Sequence, residues 1–441
     1  MPALVQEETH GAAGSVPRRR VGRMRRSTIA WFAVLGPGLV AANAGNDAGG
    51  ISTYSQAGAQ FGYSLIWTMP VLIVSLIVVQ EMAARMGAVT GKGLSDLIRE
   101  NFTIQVTTFL MATLVVANTF LVISEFAGVA ASTQLLFGGH NWIKYISVPA
   151  MALLLWLLIT RGSYKRAERV FLLLTIPFLG YFISAWFAKP NWQEVAHGLK
   201  PSLTGQAGLL VMVVALVGTT ITPYMQVYIQ SAVAEKGVTT RDYHYERLEV
   251  ILGSLFAILT AGAIMVCMAA TLWASGEGGA ITSAAQAATG LEPLAGQFAS
   301  TLFASGLFGA SMLAGAILPL ATSYAVGEAF GFETGVQNHI EEAPVFYGIF
   351  GALLVFGAAV ALIPGLPLIQ FIILAQVING LLLPIILIAI VKLANDADLM
   401  GSFKNGPTFN IVAVATIVVV IALSTIYLGI TLLGIFGVTV G

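Results

Sequence analysis

The sequence predicts an all-α polytopic membrane protein with eleven transmembrane helices, built as an inverted repeat of helices 1–5 and helices 6–10. Of its 441 residues, 57% are hydrophobic and only 10% are charged, which is outside the range of soluble globular domains. Apolar stretches of about 20 residues, enough to cross a bilayer, recur along the chain. The first and sixth stretches contain helix-breaking residues, and interruptions at corresponding places in two halves are typical of inverted-repeat transporters.

The predicted segments are interrupted at Asp47 in the first and near Pro223 in the sixth. They cover residues 29–60, 63–85, 103–137, 144–160, 167–188, 205–234, 248–274, 295–328, 343–363, 367–392 and 408–437. The chain is thereby divided into a basic N-terminal tail (1–28), a first half (29–190), a second half (205–396), and helix 11 with a short C-terminus (407–441).

Positive charges predict the orientation in the membrane. With the N-terminus in the cytoplasm, only Lys144, Lys189 and Lys200 of the 21 Lys and Arg residues fall outside, as the positive-inside rule expects. We therefore expect a multi-pass protein of the cell membrane with its C-terminus outside. Residues 235–249 mix charges with aromatic residues and are expected to lie along the membrane surface. The net charge of zero gives no indication of nucleic-acid binding, and the lone Cys267 excludes a cysteine metal cluster.

Asp47 lies near the middle of the first apolar segment. A carboxylate at that depth costs several kcal/mol unless it is paired, hydrated or bound to a cation. Gly45, Gly49 and Gly50 surround it, and glycine disfavours helix, so a break here would expose backbone carbonyls beside an acid. The pattern indicates a cation site; the structural alternative is a buried, hydrogen-bonded aspartate that only shapes the helix.

Two further acids lie within apolar segments. Glu125 is central in the third segment and is either a functional acid or a structural hydrogen-bonding partner. Glu81 lies one helical turn from Arg85, and this spacing favours an ion pair at the membrane interface.

The second predicted break contains Thr219, Thr220 and Thr222 before Pro223. Proline lacks an N–H, so the carbonyl one turn earlier, near Thr219, loses its partner and becomes a candidate ligand. The threonine hydroxyls could instead bond carbonyls of their own helix.

Side chains on other segments suggest further ligands. Gln376 and Asn379 in one membrane segment indicate either hydrogen bonds between helices or the wall of a wet cavity. Met225 is a possible soft ligand, although packing is its commoner role. All five histidines fall in predicted tails or loops, so no imidazole relay for protons is expected within the membrane.

The candidate ligands are all oxygen atoms, and hard oxygen donors suit Mg²⁺, Ca²⁺ and Mn²⁺. Mg²⁺ retains much of its water and is usually held by one or two carboxylates. We therefore expect a partly hydrated ion in a cavity that Gly49 and Gly50 widen around Asp47.

Several motifs resemble the Nramp (natural resistance-associated macrophage protein) metal transporters over about residues 36 to 390. They are Gly36-Pro37-Gly38, Asp47, the run from Gln56 to Leu65 with Trp67, the run from Gly91 to Glu100, Ser124-Glu125-Phe126, the run from Gly218 to Tyr224, Ser231-Ala232 and Gln376-Val377. This resemblance implies a LeuT-type inverted repeat that works by alternating access.

The resemblance also implies a ligand set. By family position, the carbonyls of Ala44 and Thr219 and the side chains of Asp47 and Gln376 would surround the ion, while Gly50 and Thr222 would set the size of the cavity. The family's Asp-Pro-Gly-Asn motif ends in Gly50 here. Its Met-Pro-His motif reads Thr222-Pro223-Tyr224, and a third-helix aspartate is replaced by Val122. With the thioether and the groups associated with proton coupling lost, the pattern resembles the Nramp-related magnesium transporters.

These observations predict a transporter of Mg²⁺, and also of Mn²⁺, with weak or no proton coupling. The alternatives are a proton-coupled Mn²⁺/Fe²⁺ transporter with Met225 as a soft ligand, a membrane metal sensor that does not transport, and a transporter of small organic substrates. No enzymatic activity and no cofactor are expected. The expected partners are the divalent ion and the lipid bilayer; the sequence leaves the oligomeric state open and is compatible with a monomer.

Overall fold

The computed structural model describes residues 45–161, 179–201, 208–276, 278–292 and 296–435, all of which belong to one compact unit. Their regular structure is entirely helical. The helices are α1 (Ala48–Phe61), α2 (Thr68–Thr90), α3 (Leu94–Asn101), α4 (Ile104–Leu136), α5 (Lys144–Arg161), α6 (Leu179–Phe187), α7 (Trp192–Gly198), α8 (Leu209–Thr220), α9 (Pro223–Glu235), α10 (Tyr243–Met268), α11 (Ala284–Thr289), α12 (Ala299–Phe330), α13 (Pro344–Ala361), α14 (Leu368–Asn395), α15 (Ala397–Met400) and α16 (Pro407–Ile435).

Nine stretches of the described residues are long and apolar enough to cross a membrane. They correspond to the predicted segments two to four and six to eleven, and the sixth is formed by α8 and α9 together. The first and fifth predicted segments are described only in part, as α1 and α6. The tail over residues 1–28 and the candidate ligand Ala44 lie outside the described residues.

Two boundaries differ from the sequence prediction. The second segment begins at Thr68 rather than at residue 63, because turns follow α1, and it continues to Thr90. Residues 235–249 were expected to lie along the membrane surface; in the structure α10 begins at Tyr243 and continues as one helix to Met268. The charged residues form the first turns of that helix, where Glu246 is paired with Lys236 at 3.2 Å.

The short helices next to the two breaks lie at the centre of the bundle. Helix α1 packs against α4, α8, α10, α12 and α14, and α9 packs against α2 and α12. All residues of α9 from Pro223 to Val233 are buried. Since these helices contact protein on every side, polar groups at their ends face other parts of the chain rather than lipid.

A buried ion pair fastens α2 to the chain before α16. Arg85 lies 3.3 Å from Glu81 and donates 2.7 Å to the carbonyl of Phe403 and 2.5 Å to Asn405 Oδ1. The side chains of Glu81 and Arg85 are only 3% and 8% exposed. The pair exists as predicted, but it is buried in protein rather than placed at an exposed interface.

Replacing Arg85 should destabilise the protein. Arg85→Met leaves Glu81 as an uncompensated buried charge, and loss of one partner of a buried pair costs about 3–5 kcal/mol. We expect a lowered melting temperature in detergent. Arg99→Met is the matched control, because its 3.2 Å pair with Asp96 is largely exposed and such pairs contribute about 0–1 kcal/mol. Equal melting temperatures for the two variants would contradict this assignment.

Candidate cation site

Asp47 is the residue that starts α1 in the middle of the protein. It is fully buried, and its Oδ1 accepts a hydrogen bond of 2.5 Å from the backbone N–H of Gly50. Its backbone is extended and Ala48 begins the helix, whereas the part of the first segment before residue 45 lies outside the described residues, so the structure shows only the second side of the predicted break. Oδ2 has no hydrogen-bond partner among the described residues. The carboxylate therefore caps a helix with one oxygen and leaves the other available.

Glu125 lies beside the same helix start. Its Oε2 accepts a hydrogen bond of 3.2 Å from the N–H of Ala48, and its Oε1 accepts one of 3.3 Å from Ser124. Both acids are fully buried. Within the described part of the chain, neither takes part in any of the ion pairs. Two carboxyl groups thus share one helix N-terminus without a cationic side chain to balance them.

Gly49 and Gly50 do not widen a cavity, contrary to the sequence-based expectation. A Cβ on Gly49 would lie 1.7 Å from Nε2 of Gln376, so the glycine admits that amide. A Cβ on Gly50 would lie 2.5 Å from the Gly45 carbonyl oxygen. The space that each side chain would take is occupied by the protein itself, and Gly50 therefore does not set a cavity size in this conformation.

The second break lies between α8 and α9, as predicted. Helix α8 ends at Thr220, Thr222 is extended at the start of α9, and Pro223 is its first residue. The hydroxyl of Thr220 donates a hydrogen bond of 2.7 Å to the Leu216 carbonyl, so this threonine bonds a carbonyl of its own helix. It also lies 2.9 Å from the Tyr54 hydroxyl. The buried hydroxyl of Thr219 has no partner among the described residues.

The residues after the break face different neighbours. Tyr224 is fully buried and interacts with Thr222 and, electrostatically, with both Asp47 and Glu125. The Met225 sulfur instead accepts a long hydrogen bond of 3.6 Å from Gln80 on α2. That contact supports a packing role for Met225 rather than the role of a soft ligand.

Helix α14 brings two amides to the breaks. The side chain of Gln376 packs on Gly49, and neither its Oε1 nor its Nε2 has a partner among the described residues. Asn379 donates 2.6 Å to the carbonyl of Gly218, and its Oδ1 is also unpartnered there. Both side chains are fully buried.

The structure thus joins most of the predicted site residues at one crossing of α1, α8, α9 and α14. Buried polar oxygens normally have a partner, and each unpaired one costs about 1–3 kcal/mol. The oxygens of the crossing without a partner among the described residues include Asp47 Oδ2, Thr219 Oγ1, Gln376 Oε1 and Asn379 Oδ1. Across the described ranges, no cluster of three or more His, Cys, Asp or Glu could hold a metal, so any ion here needs neutral oxygens as well as carboxylates.

Some features of the crossing were not predicted. The proximity of Glu125 to the start of α1, and the fit of Gln376 against Gly49, join residues far apart in the chain. Tyr54 was also missed, although its place two turns after Asp47 on a buried helix could have suggested it.

The fold and the polar crossing together define a helical membrane protein in which the start of α1 and the break between α8 and α9 meet at a buried oxygen-rich centre. Residues 38–430 match the model of the Nramp family, described as natural resistance-associated macrophage protein-like. The chain belongs to this family, as its motifs suggested.

Similar proteins extend over nearly the whole chain. The divalent metal cation transporter MntH of Deinococcus radiodurans is 28% identical over 433 residues, covering 96% of this chain and 95% of that protein. The MntH of Erwinia tasmaniensis is 26% identical over 400 residues, covering 89% and 93%. These relatives are transporters rather than enzymes, in agreement with the prediction that this chain is not an enzyme.

Solved structures show the same fold. The manganese transporter of Eremococcus coleocola, in complex with an aromatic bis-isothiourea compound, superposes with a TM-score of 0.74 at 20% identity and covers 95% of this chain and 91% of that one. The nucleobase-cation-symport-1 family transporter Mhp1 in a closed conformation superposes with a TM-score of 0.51 at 12% identity, covering 89% and 91%. The predicted LeuT-type, all-helical architecture is confirmed.

Proposed function

We propose that this protein carries divalent metal cations across the membrane by alternating access, and that Asp47 is the charged ligand of the ion. The observation that carries the proposal is the pair of buried acids at the start of α1, which lacks a cationic side chain among the described residues. Two ionised carboxylates in a medium of low dielectric constant repel each other strongly. A divalent cation would balance both charges.

We propose neutral ligands as well. The carbonyl of Thr219 and the amide of Gln376 at the crossing, together with the carbonyl of Ala44 that the family resemblance implies, would complete the oxygen shell around the ion at Asp47. Asp47 Oδ2 and Gln376 Oε1 are buried and unpartnered in the described structure, which supports this set. Broken helices with exposed backbone groups are the usual means by which transporters of this architecture hold cations.

We further propose that the site accepts Mg²⁺ as well as Mn²⁺. Thr222 stands where a thioether would favour softer metals, and Met225 is engaged by Gln80. Oxygen ligands alone suit both ions. The names of the relatives support divalent cations generally and manganese in the Eremococcus coleocola transporter, so the preference between the two ions rests on the ligand chemistry of this chain.

A second candidate is a proton-coupled Mn²⁺ transporter. It is favoured by the position of Glu125 and Asp47 at one helix start, because two neighbouring carboxyl groups favour a state in which one of them holds a proton. An arriving cation would displace that proton, and the pair would then couple ion entry to proton movement without any histidine.

The test is flux of Mn²⁺ and of Mg²⁺ into proteoliposomes that contain a pH-sensitive dye. We expect uptake of both ions with little internal acidification. Metal-driven acidification would favour the proton-coupled alternative. If excess Mg²⁺ does not reduce the uptake of Mn²⁺, the Mg²⁺ proposal is overturned. Binding without flux would indicate a sensor and overturn transport itself.

A further inference from the structure

Asn379 is a buried amide that contacts the first half of the broken sixth segment. Its Nδ2 donates 2.6 Å to the carbonyl oxygen of Gly218, close to the end of α8. Because a carbonyl oxygen only accepts hydrogen bonds, the amide nitrogen must face Gly218 and Oδ1 must face away from it. The orientation of the amide therefore follows from its partner.

The backbone around Asn379 is held closely. A Cβ on Gly218 would lie 2.2 Å from the Gln376 carbonyl oxygen, and a Cβ on Gly380 would lie 2.6 Å from the Val214 carbonyl oxygen. The main chains of α8 and α14 are thus in direct contact beside Asn379. Asn379 lies one turn after Gln376 on α14, and this contact places it next to the carbonyl of Gly218.

The oxygen of this amide has no partner. Asn379 is fully buried, and its Oδ1 accepts no hydrogen bond from any described residue. Leaving a buried acceptor unsatisfied costs about 1–3 kcal/mol, so a bound cation at this oxygen would recover that free energy. Gln376 Oε1 on the same helix and Thr219 Oγ1 on α8 are also buried without a hydrogen-bond partner among the described residues.

We propose that Asn379 is a ligand of the transported cation through Oδ1, with Gly218 holding the amide in place; this inference rests on the proposed transport function. Position 50 on α1 is glycine and has no side chain to offer the ion. Asn379 supplies a hard neutral oxygen from α14 instead, which suits Mg²⁺ and Mn²⁺ without adding charge.

The experiment measures Mn²⁺ binding to the purified protein by titration calorimetry and Mn²⁺ uptake by proteoliposomes. Asn379→Leu removes the donor and the acceptor at similar volume, and we expect the dissociation constant for Mn²⁺ to rise about tenfold or more, or about 1.4 kcal/mol. Asn379→Asp keeps an oxygen but loses the donor to Gly218. If Asn379 Oδ1 is a ligand, the Asn379→Asp variant should bind Mn²⁺ at least as tightly as the unmodified protein does.

The matched control is Asn118→Leu. Asn118 on α4 is equally buried and donates a hydrogen bond of 2.8 Å to the hydroxyl of Thr322 on α12. Its Oδ1 also has no partner among the described residues. We expect its dissociation constant to change less than about twofold, since it lies outside the proposed site. A comparable loss in Asn118→Leu would overturn the special role of Asn379.

Other outcomes separate the two proposals. If the unmodified protein binds and carries Mn²⁺ while Asn379→Leu is unaffected, the ligand role fails and transport stands. If Asn379→Asp weakens binding as much as Asn379→Leu, Asn379 only ties α14 to α8, and the ligand role also fails. If the unmodified protein neither binds nor carries divalent ions, the proposed function itself fails.

Discussion

Asp47→Ala is expected to abolish uptake of divalent cations. The variant removes the charged ligand from a buried site, and truncating one partner of a buried, hydrogen-bonded charge pair costs about 2–5 kcal/mol. Since each 1.4 kcal/mol is tenfold, affinity should fall by at least about 30-fold. The measurement is the Mn²⁺ concentration dependence of uptake in proteoliposomes.

Asp47 also caps α1, so the loss of the cap must be separated from the loss of the ligand. Asp47→Asn keeps an oxygen that can accept from Gly50, and asparagine caps helices as well as aspartate does. We expect Asp47→Asn to keep its melting temperature and still lose uptake. Asp398→Ala, which removes an exposed acid from the first turn of α15, is the control for surface charge. Near-normal uptake by Asp47→Asn would show that Asp47 shapes the helix and does not bind the ion.

Gly49→Ala is the second change with a large expected effect. The added Cβ would fall 1.7 Å from Nε2 and 2.4 Å from Cδ of Gln376, so the amide must leave its position. Its movement withdraws a proposed oxygen ligand, and we expect the half-saturating concentration of Mn²⁺ in uptake assays to rise about tenfold or more.

The cause can be isolated with two further variants. Gly348→Ala is the matched control, because a Cβ at this helical glycine of α13 would meet nothing within 4 Å. In a Gln376→Ala background the clash is gone, so Gly49→Ala should cause no further loss of Mn²⁺ uptake. The effects of two substitutions that act through the same contact are not additive. Full uptake by Gly49→Ala alone would contradict the role given to Gln376.

Both helix breaks could be predicted from the sequence, because their causes are local. Glycines beside Asp47 and the missing N–H of Pro223 act within one turn of the chain; the structure confirms the break before Pro223 and shows α1 beginning directly after Asp47. The apolar segments were predictable for a similar reason, since length and composition alone decide whether a helix can span a bilayer.

Contacts between distant segments could not be predicted in the same way. Gly49 and Gly50 were interpreted as open space, whereas the Gln376 amide and the Gly45 carbonyl fill it. Likewise, nothing local to Glu125 indicates that it accepts from Ala48, 77 residues earlier. Each of these contacts depends on how helices cross, and a single sequence carries no record of that crossing.

The orientation of the buried amides could not be predicted from the sequence either. The sequence showed that Gln376 and Asn379 share a helix, but it left open whether they join helices or line a site. The structure gives Asn379 both features, because its nitrogen bonds Gly218 and its oxygen is unpartnered among the described residues.

The most direct test of the cation site is the anomalous X-ray density of Mn²⁺ in crystals of the unmodified protein soaked with the ion. We expect a single strong peak within bonding distance of Asp47, and the other ligands of this ion should be oxygen atoms from both helix breaks and from α14. A peak at another place with no density near Asp47, or Asp47 held by a cationic side chain in the Mn²⁺-bound protein, would contradict it.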